Sequence, residues 1–199
     1  MVVLAKTLSG GLVPSGAVLM TEEIYDTVYG SLGRSMIHTS TFSENNLAMR
    51  AGLATLRVLE DENLDERTEH LGTLLRNRLT EELSSFDMVE EVRGLGMLNG
   101  IAFRPPKKVH QRIAFEAFRR VHEGMFGQMV VMRLFRDYKI LTQICGNNLT
   151  VLKVAPPLVI NEEQIQEFVT AARAVVEVIH SSGTFWQDAL QLAKRAVNV

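Results

Sequence analysis

One run in this 199-residue chain has the residue types to do covalent chemistry: Leu4-Ala5-Lys6-Thr7-Leu8-Ser9-Gly10-Gly11-Leu12-Val13-Pro14-Ser15-Gly16-Ala17-Val18. An apolar segment ends on a lysine, then turns through Ser-Gly-Gly into a second apolar segment. A lysine held at a strand end by such a loop can have its ammonium desolvated, which favours the neutral amine that condenses with carbonyls to form a Schiff base. The same run equally describes a solvent-facing lysine ahead of a glycine turn. The single cysteine, Cys145, has no evident histidine partner in the sequence and reads as a buried or half-buried thiol. One cysteine excludes an internal disulfide and fits a reducing compartment.

The elements that position Lys6 follow from local pattern. Val2–Ala5 and residues 17–20 read as short buried strands, rich in branched apolar residues and bounded by glycines. Thr21 with Glu22 and Glu23 marks the start of a helix over 21–28, with a hydroxyl cap and acids in the first turn. The polar, unpatterned stretch 30–43 has the character of a functional loop. Leu47, Ala51, Ala54 and Val58 set the apolar face of a helix over 44–60. Asn63 and Glu66 resemble a capping box opening a further helix toward 84, with Leu71, Leu74, Leu75, Leu79 and Leu83 as its buried stripe.

Composition then changes. Residues 88–93 and 97–103 read as strands around Gly94-Leu95-Gly96. The spacing Gly94-x-Gly96-x-x-x-Gly100 is wrong for a nucleotide fingerprint and no helix follows directly, so a strand–turn–strand is the better account. Residues 109–138 read as helical with a break near Gly124 or Gly127, and 140–145 and 150–155 as strands around Gly146-Asn147-Asn148. Asn161 and Gln164 form a reciprocal cap for a helix whose core face carries Ile165, Phe168, Val169, Ala172, Val176 and Ile179. Ser181-Ser182-Gly183 reads as its end, followed by a last amphipathic helix carrying Trp186. The fold class is α/β: residues 1–62 complete one domain, and 63–199 form a smaller α+β domain.

The chain is 46% hydrophobic and 22% charged, with a formal net charge of −2. That is globular composition without the basic stripe of a nucleic-acid binder. No apolar stretch reaches membrane-spanning length, and Met1-Val2-Val3-Leu4-Ala5 lacks the basic region of a secretory signal. The expected compartment is cytoplasmic.

Four blocks, in order, resemble one known family. They are Leu4-Ala5-Lys6-Thr7-Leu8-Ser9-Gly10-Gly11-Leu12-Val13-Pro14, His38-Thr39-Ser40-Thr41-Phe42, Val92-Arg93-Gly94-Leu95-Gly96-Met97-Leu98 and Val154-Ala155-Pro156-Pro157-Leu158-Val159-Ile160. Together they resemble the class III aminotransferases of ornithine, ω-amino acid and diamine type, which use pyridoxal 5′-phosphate (PLP) on the fold-type I scaffold. The resemblance implies that Lys6 is the catalytic and cofactor-binding lysine. It implies that Thr41, with Ser40 beside it, reaches across a homodimer to the phosphate of the neighbouring subunit's PLP. A Ser-Thr pair at this place also serves simply to stabilise a turn, and His38 in the same block is expected to be structural.

Departures from the family pattern carry expectations of their own. Lys153 stands where many relatives have an arginine that grips the substrate carboxylate; a lysine offers a point charge, not a planar fork. It is a candidate substrate-binding residue and equally a plain strand residue. Phe42-Ser43-Glu44-Asn45-Asn46-Leu47-Ala48 departs from the usual Tyr-Gly-Gly-Asn-Pro-Leu and looks like aminotransferases of lipid or polyamine pathways, hopanoid biosynthesis included. The helical stretch 109–138 is longer than in ornithine-type relatives and either shapes a substrate entrance or serves packing. In the family, the aspartate on the pyridine nitrogen, the aromatic over the ring and the phosphate loop all lie upstream of the lysine, which here has five residues before it. The expectation is therefore the C-terminal part of a transaminase, inactive alone. That enzyme would take an amine and a keto acid or aldehyde through a ping-pong cycle. The alternative is a non-catalytic remnant serving as a dimerisation or structural module.

Overall fold

The computed structural model describes residues 1–181, 183, 185 and 186. They belong to two compact units, Met1–Leu64 and Asp65–Val199, both of mixed α and β structure.

In the first unit, β1 (Val2–Ala5) pairs antiparallel with β2 (Gly16–Leu19), with Val2 opposite Leu19 and Ala5 opposite Gly16. The two strands form their own two-stranded sheet. Sequence pattern led us to expect buried strands, and this is corrected: every β1 residue is exposed, as is most of β2. Branched apolar runs read as buried because they need a layer on each face, and no layer of this unit supplies one.

Helix α1 (Glu22–Tyr29) has Thr21 at its N-cap, but the Thr21 hydroxyl makes no capping bond. Helix α2 (Asn46–Asp61) is capped by Asn45, whose Oδ1 accepts from the Leu47 and Ala48 amides at 3.0 and 3.1 Å. Its buried positions are Ala48 and Gly52, while Leu47 and Val58 of the expected face are exposed. The small residues win because α2 packs on a tight 3-10 turn, Thr7–Ser9. A Cβ on Gly52 would lie 3.6 Å from the Leu8 carbonyl oxygen, so larger side chains must point elsewhere.

The second unit is built on the antiparallel sheet β3-β4-β6-β5. Strands β3 (Val89–Leu95) and β4 (Leu98–Phe103) are joined by a two-residue turn at Gly96-Met97, with Gly96 at φ 51°. This is the strand–turn–strand that the glycine spacing pointed to. Strand β6 (Val151–Val154) lies between β4 and the two-residue β5 (Gln143–Ile144), shorter than expected.

Helices α3 (Leu64–Leu83), α4 (Val109–Val121), α5 (Met125–Tyr138) and α6 (Glu162–Ser181) supply the remainder. The leucine stripe of α3 and the apolar face of α6 enter one core with Ile101, Phe103, Phe115, Phe126 and Leu152. Asn161 and Gln164 make the reciprocal cap of α6, with bonds of 3.1 and 2.8 Å. Asn63 makes no capping bond among the described residues and stands at φ 46°.

The helical break falls at His122–Gly124, and Gly127 sits inside α5. A Cβ on Gly127 would come within 2.5 Å of Ile144 Cγ2 and 2.7 Å of the Leu149 carbonyl. This glycine lets the helix approach the sheet; it does not interrupt it. The expected end of α6 at Ser181-Ser182-Gly183 and the helix after it fall largely outside the described residues. Of these, Gly183, Phe185 and Trp186 are helical, and Trp186 Nε1 donates to the Ile179 carbonyl at 2.9 Å. No helix among the described residues is long and apolar enough to cross a membrane.

Candidate active site

Strand β1 stops at Ala5, and Lys6 takes φ 61° and ψ −82°. That pair of angles lies in the γ-turn region, which side-chain-bearing residues rarely enter and which costs about 1–3 kcal/mol. Lys139, also at positive φ, is different: its ψ of 26° is the ordinary left-handed end of α5. The Lys6 amide donates to the Ser15 carbonyl at 3.2 Å, closing the loop where Ala5 and Gly16 pair. Gly10 and Gly11 carry the chain round at φ 66° and 81°, angles that glycine adopts without penalty.

The Lys6 side chain is exposed. The desolvation expected from the sequence is thus not provided by residues of Met1–Leu64, because β1 and β2 lack a covering layer. The turn nevertheless presents the amine at the end of a strand on a constrained backbone.

Ser40 and Thr41 lie on an exposed turn ahead of α2. The Ser40 amide donates to Ser43 Oγ at 3.0 Å, and the two serine hydroxyls are 3.2 Å apart. Ser40 is therefore engaged within its own turn, while the Thr41 hydroxyl makes no hydrogen bond among the described residues. His38 Nδ1 sits 2.9 Å from the Tyr29 hydroxyl with the rings edge-on, fastening the loop to α1. No hydrogen bond joins Lys6 to Ser40 or Thr41 among the described residues.

Lys153 belongs to the other unit. It occupies β6 between Gly100 of β4 and Gln143 of β5 and is half-buried. Together with Lys139, Leu141, Thr142, Pro156 and Val159 it lines a cleft of about 600 Å³. The Thr142 hydroxyl is buried there without a hydrogen-bond partner among the described residues. Pattern reading of 140–145 as a plain strand missed Thr142. Its signal was weak: one hydroxyl in a segment of mixed polarity.

Among the described residues no cluster of three His, Cys, Asp or Glu side chains is placed to hold a metal. Cys145 is half-buried in the loop that follows β5.

Residues 1–176 match the class III aminotransferase family. The aminotransferase PigE of Serratia sp. (strain ATCC 39006) is 30% identical over 87% of this chain and 24% of its own length. An uncharacterized aminotransferase of Schizosaccharomyces pombe is 32% identical over 86% of this chain and 34% of its own. Among solved structures, the ornithine δ-aminotransferase of Plasmodium falciparum superposes with a TM-score of 0.71 at 26% identity, covering 89% of this chain and 40% of that one. The chain thus spans between about a quarter and two fifths of the length of these relatives. With the lysine turn, the Ser-Thr turn and the β3–β4 hairpin all within the matched region, the chain belongs to the class III aminotransferases.

Proposed function

We propose that this chain carries the lysine-bearing portion of a PLP-dependent transaminase. The enzyme would move an amino group from an amine or ω-amino donor to a keto acid or aldehyde in a ping-pong cycle. The observation that carries this reading is Lys6, held at φ 61° and ψ −82° at the end of β1 within the family-matched region. Strain of this kind persists where a site needs one geometry.

The donor set suits a phosphorylated aldehyde: a primary amine at Lys6 and hydroxyls at Ser40 and Thr41. PLP, when bound, supplies the electron sink. Lys6 Nζ would hold the cofactor, and as a free amine it would move a proton as a general base. Thr41, its hydroxyl free of partners among the described residues, serves a phosphate oxygen, with Ser40 beside it. Lys153 and the Thr142 hydroxyl, unpartnered among the described residues, give the cleft a cation and a donor for a carboxylate, while Leu141, Pro156 and Val159 favour an apolar body. A homodimer with shared sites and a cytoplasmic setting complete the reading. The chain covers two fifths or less of its relatives. We therefore assign the partner of the pyridine nitrogen, the ring-covering aromatic and the phosphate loop to sequence outside these residues.

Incubation with PLP followed by borohydride reduction tests this. A stable adduct on Lys6, lost in Lys6→Ala, is the expected result in a longer protein that includes the upstream region. Its absence there sinks the transaminase reading in favour of a structural module. An adduct in the longer protein but not in the 199-residue chain supports the division of the site.

A further inference from the structure

We propose that Ser9 is the positioning residue that fixes the Lys6 backbone, an inference that rests on reading Lys6 as the condensing amine. Among the described residues of Met1–Leu64, Ser9 is the buried polar side chain, 1% exposed. Its hydroxyl accepts from the Val13 amide at 3.2 Å and donates to the Val13 carbonyl. Both bonds cross the loop that begins at Lys6 and returns at Ser15, whose carbonyl holds the Lys6 amide. Ser9 and Ser15 therefore brace one closed loop from two places, and Lys6 is its first residue.

Within the loop the Gly10 amide donates to the Thr7 carbonyl at 2.9 Å and the Leu12 amide to the Ser9 carbonyl at 3.4 Å, and neither bond involves Val13. The Lys6 and Thr7 side chains are exposed. Beneath the turn α2 packs closely through Ala48 and Gly52, apolar contacts that give the Val13 polar groups no partner. A strained backbone relaxes unless neighbouring bonds over-determine it. Without the Ser9 hydroxyl both Val13 polar groups lose their partner, and the segment between Lys6 and Ser15 is free to shift. Rotation at the Lys6 φ and ψ swings its Cα–Cβ bond, and the amine with it.

The test labels the longer protein that includes the upstream region with pyridoxal 5′-phosphate. The lysine nitrogen bonds to the aldehyde carbon as water leaves, and borohydride supplies the hydride that makes a stable secondary amine. Peptide mass spectrometry then compares Lys6 with Lys107 and Lys139, both exposed, in the same molecules. Without the substitution this protein is expected to label Lys6 preferentially. Ser9→Ala is expected to cut that preference by about tenfold, within the roughly hundredfold that a 1 Å misplacement of a reacting group can cost, leaving Lys107 and Lys139 unchanged.

An unchanged preference, or a change shared by all three lysines, overturns the proposal. No preference in the longer protein without the substitution defeats the Lys6 reading itself and the Ser9 proposal with it, a distinct result. If Ser9→Ala does not fold, hydrogen exchange of the natural chain decides. Protection of the Val13 amide supports the brace, and exchange at the rate of an open chain overturns it.

Discussion

Gly72 of α3 lies against the Gly96 carbonyl so closely that a Cβ on Gly72 would sit 2.0 Å from that oxygen. The helix and the β3–β4 turn thus meet backbone to backbone. The obstacle is a carbonyl, not a flexible side-chain end, so the helix itself must move to admit even a methyl group. We expect Gly72→Ala to lower the unfolding free energy by about 1–3 kcal/mol through overpacking, despite alanine's better helix propensity. Urea unfolding checks this; a gain in stability would contradict it.

The same turn is tied down by Arg76, whose guanidinium donates to the Gly96 carbonyl at 3.0 Å and to Asn99 Oδ1 at 2.9 Å. Asn99 is buried and also donates to the Gly96 carbonyl at 3.2 Å. Arg76→Met keeps the aliphatic stem but leaves the Asn99 oxygen without its donor, at a cost of about 1–3 kcal/mol. In a double-mutant cycle with Asn99→Ala the two losses are expected to be strongly non-additive.

Lys6 pays for its geometry in stability. Glycine adopts φ near 61° freely, so Lys6→Gly is expected to raise the unfolding free energy by about 1 kcal/mol, strain relief exceeding the added chain entropy. The same change removes the amine. A denaturant midpoint that falls in Lys6→Gly would show that the turn is not strained.

Asp137 provides a pH signature. A hydrogen bond from the Arg136 side chain holds its carboxyl below the usual carboxylate range; burial opposes this, and the charges of Arg136, Arg133 and Lys139 add to the lowering. Because the native value is depressed, the stabilisation is present above the unfolded value of about 3.9 and is lost as pH falls through the native one. The pair is exposed, so Asp137→Asn should cost no more than about 0.5 kcal/mol at neutral pH. The two proteins should converge in acid, and added salt should shrink the difference. Equal stability at all pH values would remove Asp137 from the account.

Much of this protein was decided by its sequence alone, wherever the deciding forces are local. The leucine stripe of α3, the Asn161–Gln164 cap and core face of α6, and the β3–β4 turn all follow from periodicities and caps that act within a few residues. The four motif blocks likewise marked the family without any knowledge of packing. What the sequence left open is whatever depends on a partner far along the chain. The apolar strands β1 and β2 looked buried because nothing in a pattern of valines says whether a layer covers them.

Helix α2 was expected to bury the face of Leu47, Ala51, Ala54 and Val58, but the 3-10 turn that packs on Ala48 and Gly52 chose a different one. Gly127 looked like a helix breaker until Ile144 and Leu149 made it the residue that admits the sheet. Lys6 was conspicuous by type and spacing. Its strained backbone, however, exists only because Ser15 and Val13, brought back by the loop, hold hydrogen bonds across it. A sequence names the reactive group; the tertiary structure alone decides whether that group is held still.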